Sequence, residues 1–300
     1  MFGGVIVCTS FAVYFNKPIY AMNIDHPDRE RKFKITDIKC NNGCIDSGKC
    51  DKCYLQNNTI KRFHCQNREN DRFLDSACMN SLGLFSNYQF LVPNKEIQIP
   101  KPKSNKISVG SLFSQSQMYM GTVSDLINRI GDEKIYYNDS FGSFKLHNLF
   151  ADKEGYAIVL EASENRNEIS YVHDNFIVMT NFPVYEFEGK HYSEVYGDGS
   201  DRYKIACNKI LKNKDDFDLQ KAFDVLKMAR HSSEYFPTVC SMVFDPTNLY
   251  VYLALFGVFD KIWRVSIKEN IIETYSGFEG AYKFRIGAKG ILASELEKYM

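Results

Sequence analysis

Strand-like runs dominate this sequence, and they come in clusters instead of alternating with helices. Residues 144–149, 155–162, 168–172 and 176–181 form one cluster, and 238–245, 249–255, 262–267 and 271–276 form another. Each run is short, rich in β-branched and aromatic residues, and set off by turn formers, the pattern of antiparallel strands. At the front, residues 5–15 (VIVCTSFAVYF), the turn signal Asn16-Lys17-Pro18 and residues 19–25 (IYAMNID) read as a hairpin. Helical spacing is confined to three stretches. Val123, Leu126, Ile127 and Ile130 share one side of 122–130, with Thr122 or Ser124 as cap. A second helix is expected over 201–212, and a third over 217–230, where Leu219, Ala222, Phe223 and Leu226 recur at i, i+3, i+4, i+7. Strands grouped before and after a few helices predict a layered α+β fold, not βαβ units.

Two segments depart from this texture. Residues 36–72 are polar, rich in Asn, Asp, Lys and Cys, and read as a long excursion from the fold; residues 93–106 are a Pro/Lys linker-like stretch.

Composition narrows the function classes. The 300 residues carry 37 Lys+Arg against 37 Asp+Glu, with no basic stripe, which argues against a nucleic-acid partner. No run approaches the ~18 apolar residues that a membrane span needs. Met1–Val7 is apolar but lacks the basic start and full hydrophobic region of a secretory signal. A cytoplasmic location is expected, where thiols stay reduced, so the nine cysteines read first as nucleophile, metal ligands or buried apolar residues.

Cys8 lies on the first strand, near the chain start. A thiol at a mature N-terminus can use its own α-amine as general base, because that amine titrates near ~8. On this residue alone, a small buried hydrophobe is the commoner reading. Several segments taken together point the other way. Cys8-Thr9-Ser10, Asn23-Ile24-Asp25, Cys78-Met79-Asn80-Ser81-Leu82-Gly83-Leu84, Leu146-His147 with Asp152-Lys153-Glu154-Gly155 and Val159-Leu160-Glu161, Val178-Met179-Thr180-Asn181-Phe182-Pro183, and Ser200-Asp201-Arg202-Tyr203 follow one another in order. In this set the chain resembles the choloylglycine hydrolase family, which contains penicillin V acylases and bile-salt hydrolases. The matches span roughly residues 5–210, and the last ninety residues match only loosely.

The resemblance implies a four-layer αββα sandwich of two antiparallel sheets with helices outside. It implies a single domain over 8–300, with residues 1–7 removed as a propeptide; the Cys-rich segment at about 36–72, read from its texture, is expected to be an insertion in that domain, and the resemblance does not cover its cysteines. Cys8 would be the nucleophile and Asp25 its orienting carboxylate. Asn181 would supply a side-chain oxyanion donor, and Arg202 would sit near the nucleophile. A second donor would come from the backbone near Gln89 or Phe90, which with Met22 would line the substrate site. Local readings stand beside these: Asn181 as a turn former, Arg202 as a first-turn helix residue, Asp25 as a strand end. One departure is notable: Met22 stands where the family's Gly-Arg-Asn motif has arginine, and Met can neither carry charge nor donate.

The implied reaction is hydrolysis of a small-molecule N-acyl amide through a thioester, with no cofactor for catalysis. The alternatives are an inactive binding protein on the same fold and an acyltransferase using the same nucleophile; a homo-oligomer is compatible with either. Separately, Cys40, Cys44, Cys50 and Cys53, followed by His64 and Cys65, could hold a structural zinc, form loop disulfides or remain free thiols.

Overall fold

A computed structural model describes residues 8–39, 59–69, 71–95, 109–131, 145–162, 167–231 and 233–300. Among these, two eight-stranded antiparallel sheets form the centre of the fold. The first runs β10 (Phe176–Met179), β1 (Cys8–Val13), β2 (Ile19–Asp25), β11 (Thr238–Asp245), β12 (Tyr250–Leu255), β13 (Ile262–Ser266), β14 (Ile271–Ser276), β15 (Lys283–Arg285). The second runs β16 (Ile291–Leu292), β3 (Arg31–Lys39), β4 (Thr59–Glu69), β5 (Arg72–Asn80), β6 (Phe85–Leu91), β7 (Lys145–Ala151), β8 (Ala157–Ala162), β9 (Asn167–Tyr171).

Side-chain alternation explains the layering, because successive residues of a strand face opposite sides. On β1 and β2, Cys8, Ala12, Tyr20, Met22 and Ile24 join Phe33, Phe63, Cys65, Phe85 and Leu149 of the other sheet in the central core. Phe11, Val13, Ile19 and Ala21 point the other way, against α3 (Ser200–Lys212) and α4 (Leu219–Met228). On the far side, Phe150, Ile158 and Leu160 pack against α1 (Val109–Tyr119) and α2 (Val123–Ile130). The order is therefore helices, sheet, sheet, helices, as the resemblance implies. Strands covered on both faces read as continuous apolar runs, and all seven residues of β2 are buried.

The three helices read from spacing are α2, α3 and α4, and the cap of α2 is Thr122, in a capping box with Asp125. The excursion over 36–72 needs correction. Its ends are strands: β3 pairs with β4 from Arg31↔Asn67 to Lys39↔Thr59. Alternation was hidden because one face of this hairpin is partly exposed and basic, while the buried face mixes Phe33, Ile35 and Phe63 with Arg31, Cys65 and Asn67. Residues 40–58 lie outside the described residues, and with them Cys40, Cys44, Cys50 and Cys53. No helix among the described residues is long and apolar enough to cross a membrane.

Candidate active site

β1 is held between β10 and β2, with Cys8 opposite Ile24 and Ser10 opposite both Met22 and Met179. This pairing fixes the Cys8 backbone rigidly. Four side chains then close on it. The Cys8 N–H donates to Asn181 Oδ1 (3.2 Å), and Arg202 Nη2 donates to the same oxygen (2.8 Å). Arg202 Nη1 donates to the Cys8 carbonyl (2.6 Å) and to Thr9 Oγ1 (2.9 Å), and lies 3.8 Å from Asp25 Oδ2. Thr238 Oγ1 donates to Asp25 Oδ1 (2.5 Å), while Asp25 Oδ2 is buried without a hydrogen-bond partner.

Local structure brings these groups together. Asp25 ends β2, in phase with Ala21 and Asn23 on the face toward α3 and α4. Arg202 lies in the first turn of α3, directly after Gly199, whose φ of +75° requires glycine; an added Cβ there would collide with the Arg202 guanidinium. Asn181 follows β10, and its loop is fixed by a buried pair. His147 pairs with Glu161 Oε1 through Nδ1 (2.8 Å) and donates to the Thr180 carbonyl through Nε2 (2.7 Å). Glu161 also accepts the Val184 and Tyr185 N–H groups (3.1 and 3.0 Å). Asn181 Nδ2 donates to the Phe90 carbonyl (2.8 Å), and the Asn181 carbonyl accepts from Val92 N–H (2.6 Å).

Electrostatics follow from burial. The Cys8 thiol is pushed up to about 12, chiefly by burial and then by the Asp25 carboxylate; the Asp25 N–H, Arg202 and Arg31 oppose this. Asp25 is pushed up to about 7 by burial, against the pull of Arg202 and the Thr238 hydroxyl. At that value the thiol is protonated at neutral pH, the less nucleophilic form of a cysteine. A cavity of only about 10 Å³ touches it, lined by Cys8, Met22, Ile24, Asn67, Ser76, Tyr88, Gln89 and Phe90.

The structure thus brings together Cys8, Asp25, Asn181 and Arg202, and places Met22, Gln89 and Phe90 around the cleft. Met22 accepts the Asn87 side-chain N–H through sulfur (3.3 Å), and Gln89 donates to Ser10 Oγ (2.7 Å). Other matched segments prove to be scaffolding. Asn80 Oδ1 caps the β5–β6 turn through the Leu82 and Leu84 N–H groups, and Asp152 Oδ2 accepts the first N–H of α2. Sequence reading missed Thr238, the His147–Glu161 pair as a support of the Asn181 loop, and Arg31. Arg31 was detectable in principle, since it shares a strand phase with Phe33 and Ile35.

One group of described residues could hold a metal: His64 Nδ1, Asp75 and Cys78 Sγ lie within 4.8 Å of one another. Burial keeps His64 neutral by lowering it. Burial alone would raise Asp75, but bonds from His64 and Gln66 hold it below its usual range. The free cysteines Cys65, Cys207 and Cys240 are also buried.

Two stacked antiparallel sheets between helices, with a cysteine on the first strand under an Asn–Arg–Asp network, define the N-terminal-nucleophile sandwich class. The family model for linear amide C–N hydrolases, choloylglycine hydrolase family, matches residues 16–206, and the chain belongs to that family. That match takes in Asp25, Asn181 and Arg202 but begins after Cys8. Among solved structures, a cysteine-to-alanine mutant of conjugated bile acid hydrolase from Clostridium perfringens is similar at 15% identity, covering 90% of this chain and 96% of that one, with a TM-score of 0.61. An arginine-to-leucine variant of the same hydrolase gives 16% identity, 90% and 97% coverage and 0.61. Penicillin V acylase from Agrobacterium tumefaciens gives 13%, 94% and 96%, and 0.61. At such identity these likenesses show the fold. No curated protein matches the chain.

Proposed function

We propose that this linear amide hydrolase is a cysteine N-terminal-nucleophile enzyme that removes its own residues 1–7 and then cleaves a small N-acyl amide through a Cys8 thioester. The observation that carries the reading is the convergence of the Cys8 N–H and the Arg202 guanidinium on one oxygen of Asn181. In maturation, Cys8 Sγ adds to the Val7 carbonyl and the Cys8 nitrogen leaves, so the peptide bond becomes a thioester. Water then cleaves that thioester, releasing residues 1–7 with a carboxyl end. The freed α-amine occupies the place of the present N–H, held by Asn181 Oδ1. The neighbouring Arg202 charge favours its neutral, basic form.

In turnover, the α-amine takes the thiol proton and the thiolate attacks the amide carbonyl. The oxyanion is received by the Asn181 side-chain amide and a backbone N–H near Gln89–Phe90, donors worth ~3–4 kcal/mol each. The α-ammonium returns its proton to the departing amine, and water resolves the thioester by the same route. Asp25, tied to Thr238, orients Arg202 and the amine. The reaction requires reduced Cys8, as expected of a cytoplasmic protein, and uses no cofactor. A structural zinc on Cys40, Cys44, Cys50 and Cys53 belongs to the same proposal and is tested by metal content before and after changing those four residues.

The test is intact mass together with a panel of N-acyl amides, including penicillin V and conjugated bile salts, against wild type and Cys8→Ala. Wild type should lack residues 1–7 and hydrolyse at least one member; active protein that retains Met1 refutes the scheme. Met22, whose sulfur is already satisfied by Asn87, favours one second reading, an inactive binding member, which predicts a full-length chain and no turnover.

A further inference from the structure

His64 and Cys65 adjoin the Cys-rich segment in sequence, but strand alternation parts them. Cys65 joins the central core, so His64 turns to the opposite face of the second sheet. Directly across on β5, Cys78 takes that same outer face, between Ala77 and Met79 of the core. Asp75 would share the inward phase of Ala77 but for a β-bulge. Cys65 pairs with Ala77 and Gln66 with Asp75, so Ser76 is the extra residue, and beyond it the phase reverses. Ser76 Oγ holds the bulge by donating to the Cys65 carbonyl (3.0 Å). The effect is to set Asp75 beside His64.

Three ligand atoms meet there. His64 Nδ1 lies 3.0 Å from Asp75 Oδ2 and 3.6 Å from Cys78 Sγ, and all three atoms lie within 4.8 Å of one another. One ring nitrogen carries either a proton or a lone pair, so it cannot serve a carboxylate and a thiol fully at once. A cation among the three atoms uses them all. Zinc fits the spacing: Zn–S of about 2.3 Å and Zn–N of about 2.0–2.1 Å set sulfur and nitrogen ~3.6 Å apart at a tetrahedral angle. The surroundings fit as well. Thr36 Oγ1 lies 2.8 Å from His64 Nε2, and a hydroxyl both donates and accepts, so it can receive an Nε2–H bond once Nδ1 holds a metal. Gln66 Nε2 donates to Asp75 Oδ1 (2.7 Å), which leaves Oδ2 for the other two ligands.

Access and charge define the kind of site. His64 and Cys78 are buried, whereas the Asp75 side chain is 28% exposed and lines a cavity of about 550 Å³ with Gln66, Tyr88, Ser111 and Ser114. That cavity gives an ion its way in and a water its place as fourth ligand. Lys34 acts electrostatically on all three groups, and Arg62 on His64 and Cys78. Their charge helps the thiol ionise and weakens the hold on a dication, so this site holds zinc less tightly than one of four thiolates.

We propose that His64 Nδ1, Asp75 Oδ2 and Cys78 Sγ form a zinc site, completed by a water from the cavity beside α1, that pins the β4–β5 bulge. On binding, the Cys78 thiol proton goes to solvent and the His64 proton moves to Nε2. Ser76 and Asn67, at the bulge, line the Cys8 cleft, so the bound ion also stiffens that wall. The inference stands apart from the hydrolase reading, since none of the ligands belongs to the Cys8 network.

The experiment uses the full chain with Cys40→Ser, Cys44→Ser, Cys50→Ser and Cys53→Ser, which removes the other candidate zinc ligands. Chelator-stripped protein is titrated with Co²⁺. It should bind about one equivalent, with the visible bands of tetrahedral cobalt and a thiolate-to-cobalt charge-transfer band, and zinc should displace it. Cys78→Ser should remove the charge-transfer band, and His64→Gln and Asp75→Asn should each weaken binding by more than ~100-fold. Thr36→Val, which removes only the outer hydroxyl, should weaken it about 10-fold. Zinc should raise Tm in the parent and not in Cys78→Ser. If the four-serine chain does not fold, the natural chain carries the test, and Cys78→Ser should lower its cobalt content by about one equivalent. Folded protein without the charge-transfer band, or cobalt binding unchanged by Cys78→Ser, overturns the proposal.

Discussion

Asp25→Asn should make the protein more stable at neutral and alkaline pH while abolishing activity. Asp25 is fully buried, its Oδ2 lacks a hydrogen-bond partner, and burial pushes it up to about 7 from an ordinary 3.8. The folded state therefore holds a proton that the unfolded chain gives up. Such a group contributes stability that is complete below the unfolded value and is lost as pH rises through the folded value, here between about pH 4 and pH 7. Three units at 1.36 kcal/mol each amount to roughly 4 kcal/mol. Asparagine matches the protonated acid in shape and still accepts from Thr238, so it removes the pH-dependent loss. Its advantage over wild type should be ~2 kcal/mol at pH 5 and ~4 kcal/mol at pH 8. The comparison is best made by urea unfolding in a Cys8→Ala background, which gives both proteins one chain length; Cys8 is not among the groups that shift Asp25. Parallel stability curves from pH 5 to 8 would refute the reasoning. So would a loss of stability in Asp25→Asn at pH 8, which would mean an ionised Asp25 well paired with Arg202.

Further outcomes test the rest of the site. Cys8→Ala should retain residues 1–7 by intact mass, whereas Cys8→Ser should process slowly, because a hydroxyl can attack but less readily. Asn181→Ala should lower kcat by about 10²–10³-fold with little change in KM, and should retain more of residues 1–7; a rise in KM alone would remove Asn181 from the oxyanion site. Glu161→Gln should cost about 1–3 kcal/mol in urea unfolding, because one of three donors loses its acceptor. It should also lower kcat several-fold by loosening the Thr180–Asn181 loop; unchanged kcat would show that the His147–Glu161 pair supports the fold alone.

Much of this protein follows from the order of its residues. The hairpin around Asn16-Lys17-Pro18, the eight later strands and helices α2, α3 and α4 were readable because their periodicities are local and uninterrupted. The candidate residues Cys8, Asp25, Asn181 and Arg202 were readable through the matching segments. The strands of 31–39 and 59–69 were not, because a sequence scan sees residue type and not the face onto which it turns. Lys32, Lys34 and Lys61 made a half-buried hairpin look like polar loop. Tertiary structure alone decided what each polar residue does. Asn80 and Asp152 satisfy backbone N–H groups of a turn and a helix start, Asn23 ties β2 to α4, and Asn181 reaches Cys8 across 173 residues of chain. The same holds for charge. Asp25 and Arg31 have unremarkable neighbours in sequence, yet removal of water around them inside the stacked sheets raises the one and leaves Nε and Nη2 of the other without a partner. Desolvation belongs to the packed interior and to no segment of the chain, so only the assembled sandwich could assign it.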